Sequence, residues 1–224
     1  MNIDFKKYPY PERLRHHTTP YNYIPLKELN GLPDYYPPII EKADWSKIFI
    51  NAKQPDVLDV GCAKANLLLN YAENNPNSNI LGIEVRVQLT EWLENLIKSE
   101  NIPNAGVIWY TIVNGLDFIE AASISKIFYL FPDPWTKQRH KKRRAYNADT
   151  LEEYRKVLKI GGELYLATDI EEVHNDHLKL LNRNGGFDIE IIESDERWGL
   201  PQTNKEKFCR RVSIPFYRII AHKK

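Results

Sequence analysis

The residues of this chain best suited by type and spacing to do chemistry lie between Phe131 and Arg144, in the run FPDPWTKQRHKKRR. Pro132 and Pro134 restrict φ on both sides of Asp133 and remove two amide donors, so a stiff loop aims one carboxylate in one direction. Trp135 follows, and six of the eight residues from Lys137 to Arg144 are Lys or Arg. A rigid acid can orient a ligand or stabilise positive charge as it develops, and a dense cationic patch beside it suits phosphate. Taken alone, the run also fits a proline turn leading into a solvated basic segment.

Position argues for the first reading. The apolar run Ile127 to Leu130 reads as a buried strand, which puts Asp133 beyond a strand's carboxyl end, where open α/β sheets carry their sites. Other elements follow the same plan. Val57 to Val60 is a short apolar strand ending at Gly61, and the apolar residues from Ala65 through Ala72 suit a mostly buried helix. A second strand, Ile80 to Ile83, ends at Glu84; Leu89 to Lys98 has helical spacing; Val107 to Val113 is a third strand ending at Asn114-Gly115. Asp149 is placed to cap a helix with the stripe Leu151, Tyr154, Val157 and Leu158, stopped by Gly161-Gly162. Glu163 to Thr168 is then a strand with Asp169 at its end. Phe187 to Ile192 and Phe216 to Ala221 are two further strands, separated by the polar stretch Trp198 to Arg211 and giving the sheet an antiparallel finish. Asp59, Glu84, Asn114, Asp133 and Asp169 therefore fall at or near the carboxyl ends of successive strands, which favours one shared cleft.

Strand, tight turn and helix form a nucleotide cradle, and an acid such as Glu84 at its distance from Gly61 suits the two hydroxyls of a ribose. A dinucleotide and S-adenosylmethionine both carry that group. The turn Gly61-Cys62-Ala63-Lys64-Ala65-Asn66 has alanines where a pyrophosphate turn needs glycines, which disfavours a nicotinamide oxidoreductase and leaves a phosphate-free adenosine ligand. An adenine amino-group methyltransferase is disfavoured too, because a single proline follows Asp133 before the aromatic residue.

A chain of 224 residues with a net charge of +1 accommodates one α/β domain and a tail. The first 50 residues, rich in Pro and Tyr and lacking a sustained period, read as an extended arm packed on or flanking a core domain over 51–224. Cys62 and Cys209 have no disulfide or zinc spacing, and His16-His17 has no third ligand, so no metal is expected. Charges within the first seven residues and the lack of a long apolar run speak against secretion and membrane spanning; a reducing cytoplasm fits.

FPDPW-x-K-x-RH-x-KRR after a strand, GIEVR, GGELYLATD and a late Thr-x-x-Glu together closely resemble the tRNA (guanine-N7-)-methyltransferase (TrmB-like) family, over about Val57 to Arg211. RLRHH and Asp44-Trp45-Ser46 look like the family's leader. The resemblance implies a class I S-adenosylmethionine-dependent methyltransferase fold: Rossmann-like, seven-stranded, with an antiparallel last strand. It also implies methylation of guanosine N7 in the tRNA variable loop, at position 46. By motif, Asp59, Gly61, Glu84, Asn114 and Asp133 would hold S-adenosylmethionine, with Asp133 also the candidate catalytic residue. Lys137, Asp169, Thr203, Asn204, Lys205 and Glu206 would meet the substrate, and Arg139, Lys141, Lys142, Arg143 and Arg144 the tRNA phosphates. Asn114 stands where many members have Asp, and Ala63 and Ala65 stand where the family usually has glycines. An alanine there is harmless at negative φ and obstructive at positive φ, so a non-catalytic or weakly active tRNA-binding protein is the alternative. A monomer, a homodimer and a chain working with a partner subunit all fit the sequence.

Overall fold

Four consecutive buried residues, Val57–Val60, make the first strand, β1, and a strand buried on both faces needs cover on both. The computed structural model describes residues 3–11 and 19–224 and supplies that cover. Strands β2 (Ile80–Glu84), β3 (Ala105–Trp109), β4 (Ile124–Leu130), β5 (Leu158–Thr168), β6 (Phe187–Ile191) and β7 (Tyr217–Lys223) join β1 in one sheet of order β3-β2-β1-β4-β5-β7-β6. Strands β1 to β5 run parallel, and β7 lies antiparallel between β5 and β6. Alternation along the strands separates two cores. On one face, Val57, Ile80, Phe128 and Tyr165 pack with helices α1 (Asn66–Asn74) and α2 (Val87–Ser99). On the other, Leu58, Leu81, Ile127 and Leu164 pack with α3 (Ala148–Val157) and α4 (Glu171–Asn184). Strand order reverses between β1 and β4, so a crevice opens beyond their carboxyl ends.

The structure corrects several sequence expectations. The third strand stops at Trp109, and Ile112–Asn114 forms a 3₁₀ turn that carries Asn114. Helix α3 is capped by Asn147 rather than Asp149, its side chain accepting from the Thr150 N–H. Gly161-Gly162 does not stop that helix. The chain passes directly from Val157 into β5, whose pairing with β4 is irregular between Ile124 and Lys126, leaving the glycines in a bulge. Two short helices, α5 (Asp195–Trp198) and α6 (Asn204–Arg211), occupy the stretch between β6 and β7.

The described part of the N-terminal segment is irregular chain punctuated by short 3₁₀ turns. It turns at Pro20–Tyr23, Leu26–Glu28 and Trp45–Lys47, and Tyr23, Ile40, Trp45 and Phe49 pack on the α3/α4 core. Phe5 and Tyr10 meet Trp92 of α2 at ring-centre distances of 6.4 and 5.3 Å. Arg13, Leu14, Arg15, His16 and His17 lie outside the described residues. Among the described residues no cluster of three or more His, Cys, Asp or Glu side chains could hold a metal, and no helix is long and apolar enough to cross a membrane.

Candidate active site at the carboxyl edge of the sheet

The turn after β1 is seated by a close approach. A Cβ on Gly82 of β2 would lie 2.7 Å from both Cys62 Sγ and Leu68 Cδ1, so glycine lets these side chains of the turn and of α1 pack directly on β2, and any larger residue would displace them. Gly61 has φ +80°, and Ala63 and Ala65 have φ 47° and 56°. Both alanines thus occupy the left-handed region, the unfavourable case, at about 1–2 kcal/mol each. At Ala65 the methyl is buried in the α1/α2 core, which offsets roughly 0.8 kcal/mol. Ala63, half-exposed, gains no such offset.

Two acids stand beside this turn. Glu84 Oε2 accepts the Ala63 N–H at 3.1 Å, and its carboxylate also takes the Arg86 amide and a bidentate Arg86 guanidinium, from Nε at 2.9 Å and Nη2 at 3.0 Å. Asp59 is only 4% exposed, and burial, followed by the nearby Glu84 charge, pushes its pKa up to about 7.

Asn114 is held by the N-terminal segment. Its Oδ1 accepts the Leu26 N–H at 2.9 Å and sits 3.0 Å from the Tyr36 hydroxyl. An amide N–H can only donate, so this contact fixes which end of the Asn114 side chain is oxygen. Its buried Nδ2 has no partner among the described residues.

After β4 the chain reverses through two more left-handed residues, Phe131 at φ 51° and Trp135 at φ 40°, with Asp133 between them. Asp133 Oδ2 accepts the Tyr23 hydroxyl at 2.6 Å. Trp135 lies edge-on to Tyr23, and the Arg143 guanidinium stands 5.2 Å from its ring centre. A cleft of about 160 Å³ is lined by Tyr23, Gly61, Ala63, Glu84, Arg86 and Asp133.

The basic run forms a 3₁₀ turn over Gln138–Arg143. Its cations divide into two groups. Arg144 is structural: its guanidinium donates to Pro134 O and pairs with Glu172 and Asp176 of α4, tying the Asp133 loop to that helix. Lys141 pairs with Glu172 at 2.5 Å. Lys137, Arg139 and Lys142 are exposed and, like Arg143, have no ion partner among the described residues.

On the β5 side, Asp169 pairs with Lys205 at 2.7 Å, the Thr203 hydroxyl caps α6, and Asn204 meets the Asn66 side chain at the start of α1. Glu206 turns inward instead. Only 2% exposed, it pairs with Arg218 of β7 at 2.6 Å and with Arg210 at 2.9 Å, which makes it the anchor of α6 rather than a group facing the cleft. Gly61, Glu84 and Asp133 thus line one cleft. Asp59 is buried within β1, and Asn114, in the turn after β3, lines a separate pocket with Leu26, Gly115 and Glu153. Asp169, Thr203, Asn204 and Lys205 lie along the β5 flank. Sequence reasoning missed Tyr23, Tyr36 and Arg86. Arg86 sat two residues beyond Glu84 as a signal, whereas Tyr23 and Asp133 are 110 positions apart and nothing local links them.

A family model described as a putative methyltransferase matches residues 53–212. The tRNA (guanine-N(7)-)-methyltransferase of Candida glabrata is 30% identical over 218 residues, covering 89% of this chain and 70% of the relative. The enzyme of the same name from Debaryomyces hansenii is 34% identical over 173 residues, 68% of this chain; the match spans 59% of that longer relative. Among solved structures, the 16S rRNA methyltransferase KamB superimposes with a TM-score of 0.57 at 16% identity, covering 84% of this chain and 96% of KamB, a likeness of fold alone.

Proposed function

We propose a function that proceeds from one fact: this chain belongs to the tRNA (guanine-N(7)-)-methyltransferase family. The reading is methyl transfer from S-adenosylmethionine to N7 of a guanosine in tRNA, at position 46 of the variable loop. The observation that carries it is the placement of Asp133 in the same cleft as Glu84, with exposed cations beginning four residues further along the same loop.

The residues present fit this cofactor. It joins a sulfonium, and an amino-acid end with an ammonium and a carboxylate, to an adenosine, so it offers two cationic centres, one anionic group, two ribose hydroxyl donors and ring-nitrogen acceptors. Asp59, whose raised pKa marks an uncompensated buried acid, and Glu84 suit the cationic and hydroxyl groups. The unpartnered Asn114 Nδ2 suits a ring acceptor. When bound, the cofactor supplies an electrophilic methyl group. Glu84 would accept the ribose hydroxyls, Asp59 would balance a cationic group, and Asn114 Nδ2 would donate to the adenine.

Guanine N7 carries an in-plane lone pair and is unprotonated near neutral pH, so the acceptor needs no base and catalysis rests on alignment and electrostatics. Asp133 orients the guanine and stabilises the positive charge its ring acquires. Lys137, Asp169, Thr203, Asn204 and Lys205 border the substrate, and Arg139, Lys142 and Arg143 meet phosphates. Replacing those three by Gln lowers the slope of log affinity against log salt by about 0.7–0.9 for each phosphate no longer neutralised. Arg144→Gln leaves the slope nearly unchanged and lowers the unfolding midpoint, because that guanidinium is spent on Glu172 and Asp176. Filter binding across a salt series together with urea unfolding checks both.

The positive φ at Ala63 and Ala65 favours one other reading, a tRNA-binding protein with weak cofactor affinity. Incubation with an unmodified tRNA transcript and S-adenosylmethionine, followed by nucleoside mass spectrometry and mapping, separates the two. N7-methylguanosine in the variable loop is the expected product; salt-sensitive tRNA binding without transfer moves the assignment to the second reading.

A further inference from the structure

Proline fixes the backbone around Asp133 but does not by itself set the χ angles of its carboxylate. One contact that sets those angles comes from the N-terminal segment. The Tyr23 hydroxyl donates to Asp133 Oδ2 at 2.6 Å, and its ring lies edge-on to Trp135 at 5.4 Å. Tyr23 is itself immobilised on both sides. Before it, the buried Thr111 hydroxyl donates to Asn22 O at 2.6 Å. After it, the Tyr36 hydroxyl reaches Ile24 O at 2.7 Å, and Leu26 N–H is bonded to Asn114 Oδ1. A residue flanked by such anchors acts as a fixed post rather than a flap.

We propose that Tyr23 is a positioning residue for methyl transfer, holding the Asp133 carboxylate in the orientation the acceptor base requires, an inference that rests on the function proposed above. The segment from Asn22 to Tyr36 then completes the site, because it bridges the β3 end at Thr111 and Asn114 to the β4 end at Asp133. The strained residues on either side of Asp133, Phe131 and Trp135, make such a clasp necessary: a loop with two left-handed non-glycine residues keeps its shape only when its surroundings hold it.

Tyr23→Phe tests this, since it keeps the ring against Trp135 and removes only the donor. The expected result is a fall in kcat on the order of tenfold to a hundredfold, with KM for tRNA and for S-adenosylmethionine within about threefold of wild type. An unchanged kcat overturns the proposal. So does a lowered KM with kcat unchanged or raised, which would make Tyr23 a plug that the acceptor base displaces. A second readout needs no turnover. With 3-fluorotyrosine at position 23, Asp133→Ala shifts the ¹⁹F resonance of the ligand-free protein, and a resonance that stays put overturns the proposal. If the resonance moves while the wild-type protein leaves tRNA unmethylated, the hold of Tyr23 on Asp133 is supported and the proposed reaction alone falls.

Discussion

Asp133→Asn lowers the single-turnover rate of methyl transfer to tRNA by on the order of 10²- to 10³-fold, the loss that follows removal of one preorganised electrostatic partner. The substitution preserves shape, and its carboxamide oxygen still accepts the Tyr23 hydroxyl, so the loop and its clasp survive. What disappears is a full negative charge beside a ring that becomes cationic during transfer. That charge matters more in the transition state than in the bound ground state, so the loss falls on the rate rather than on affinity. Binding of tRNA stays equal or becomes slightly tighter, because an anion has been removed from the path of a polyanion. Rapid quench with radiolabelled cofactor and filter binding measure the two quantities. Wild-type rate together with wild-type affinity in the variant would remove Asp133 from the mechanism.

Asp59→Asn acts in two opposite directions. In the ligand-free protein the Asp59 pKa is about 7, against 3.8 for an ordinary aspartate. The folded state therefore holds a proton that the unfolded state releases, and wild-type stability falls as pH rises from near 4 to near 7, then levels off. The displacement corresponds to about 4 kcal/mol at the plateau. Asparagine, uncharged at every pH, escapes that cost, so the variant gains little at pH 4, gains progressively above it, and is most stabilised relative to wild type at pH 8. Cofactor affinity moves the other way, weakening by roughly tenfold to a hundredfold once the acid is gone. Wild-type binding of S-adenosylhomocysteine, which keeps the ammonium, strengthens as pH rises toward 7 and releases a proton below it. Urea unfolding at pH 5 and pH 8, with calorimetric titrations in buffers of different ionisation enthalpy, tests both halves. A variant no more stable than wild type at pH 8 contradicts the buried-acid account.

The sequence by itself determined the layered α/β plan. Apolar runs of strand length, each ending in a polar residue and alternating with helical stripes, leave few other ways to bury those faces, and Asp59, Glu84, Asp133 and Asp169 stand at or close to strand ends, whereas Asn114 lies in a turn beyond the end of β3. Local chemistry was equally legible at FPDPW, where two prolines act on their immediate neighbours. Tertiary structure alone decided which charges are available. Lys141, Arg144 and Glu206 read in sequence like their exposed neighbours, yet Glu172, Asp176 and Arg218 bind them from other elements. It also decided the sign of φ at Ala63 and Ala65 and the meeting of Tyr23 with Asp133. Periodicity reports which face of an element is buried; a hydrogen bond between residues 110 positions apart depends on the summed path of every element between them, and no local pattern encodes that sum.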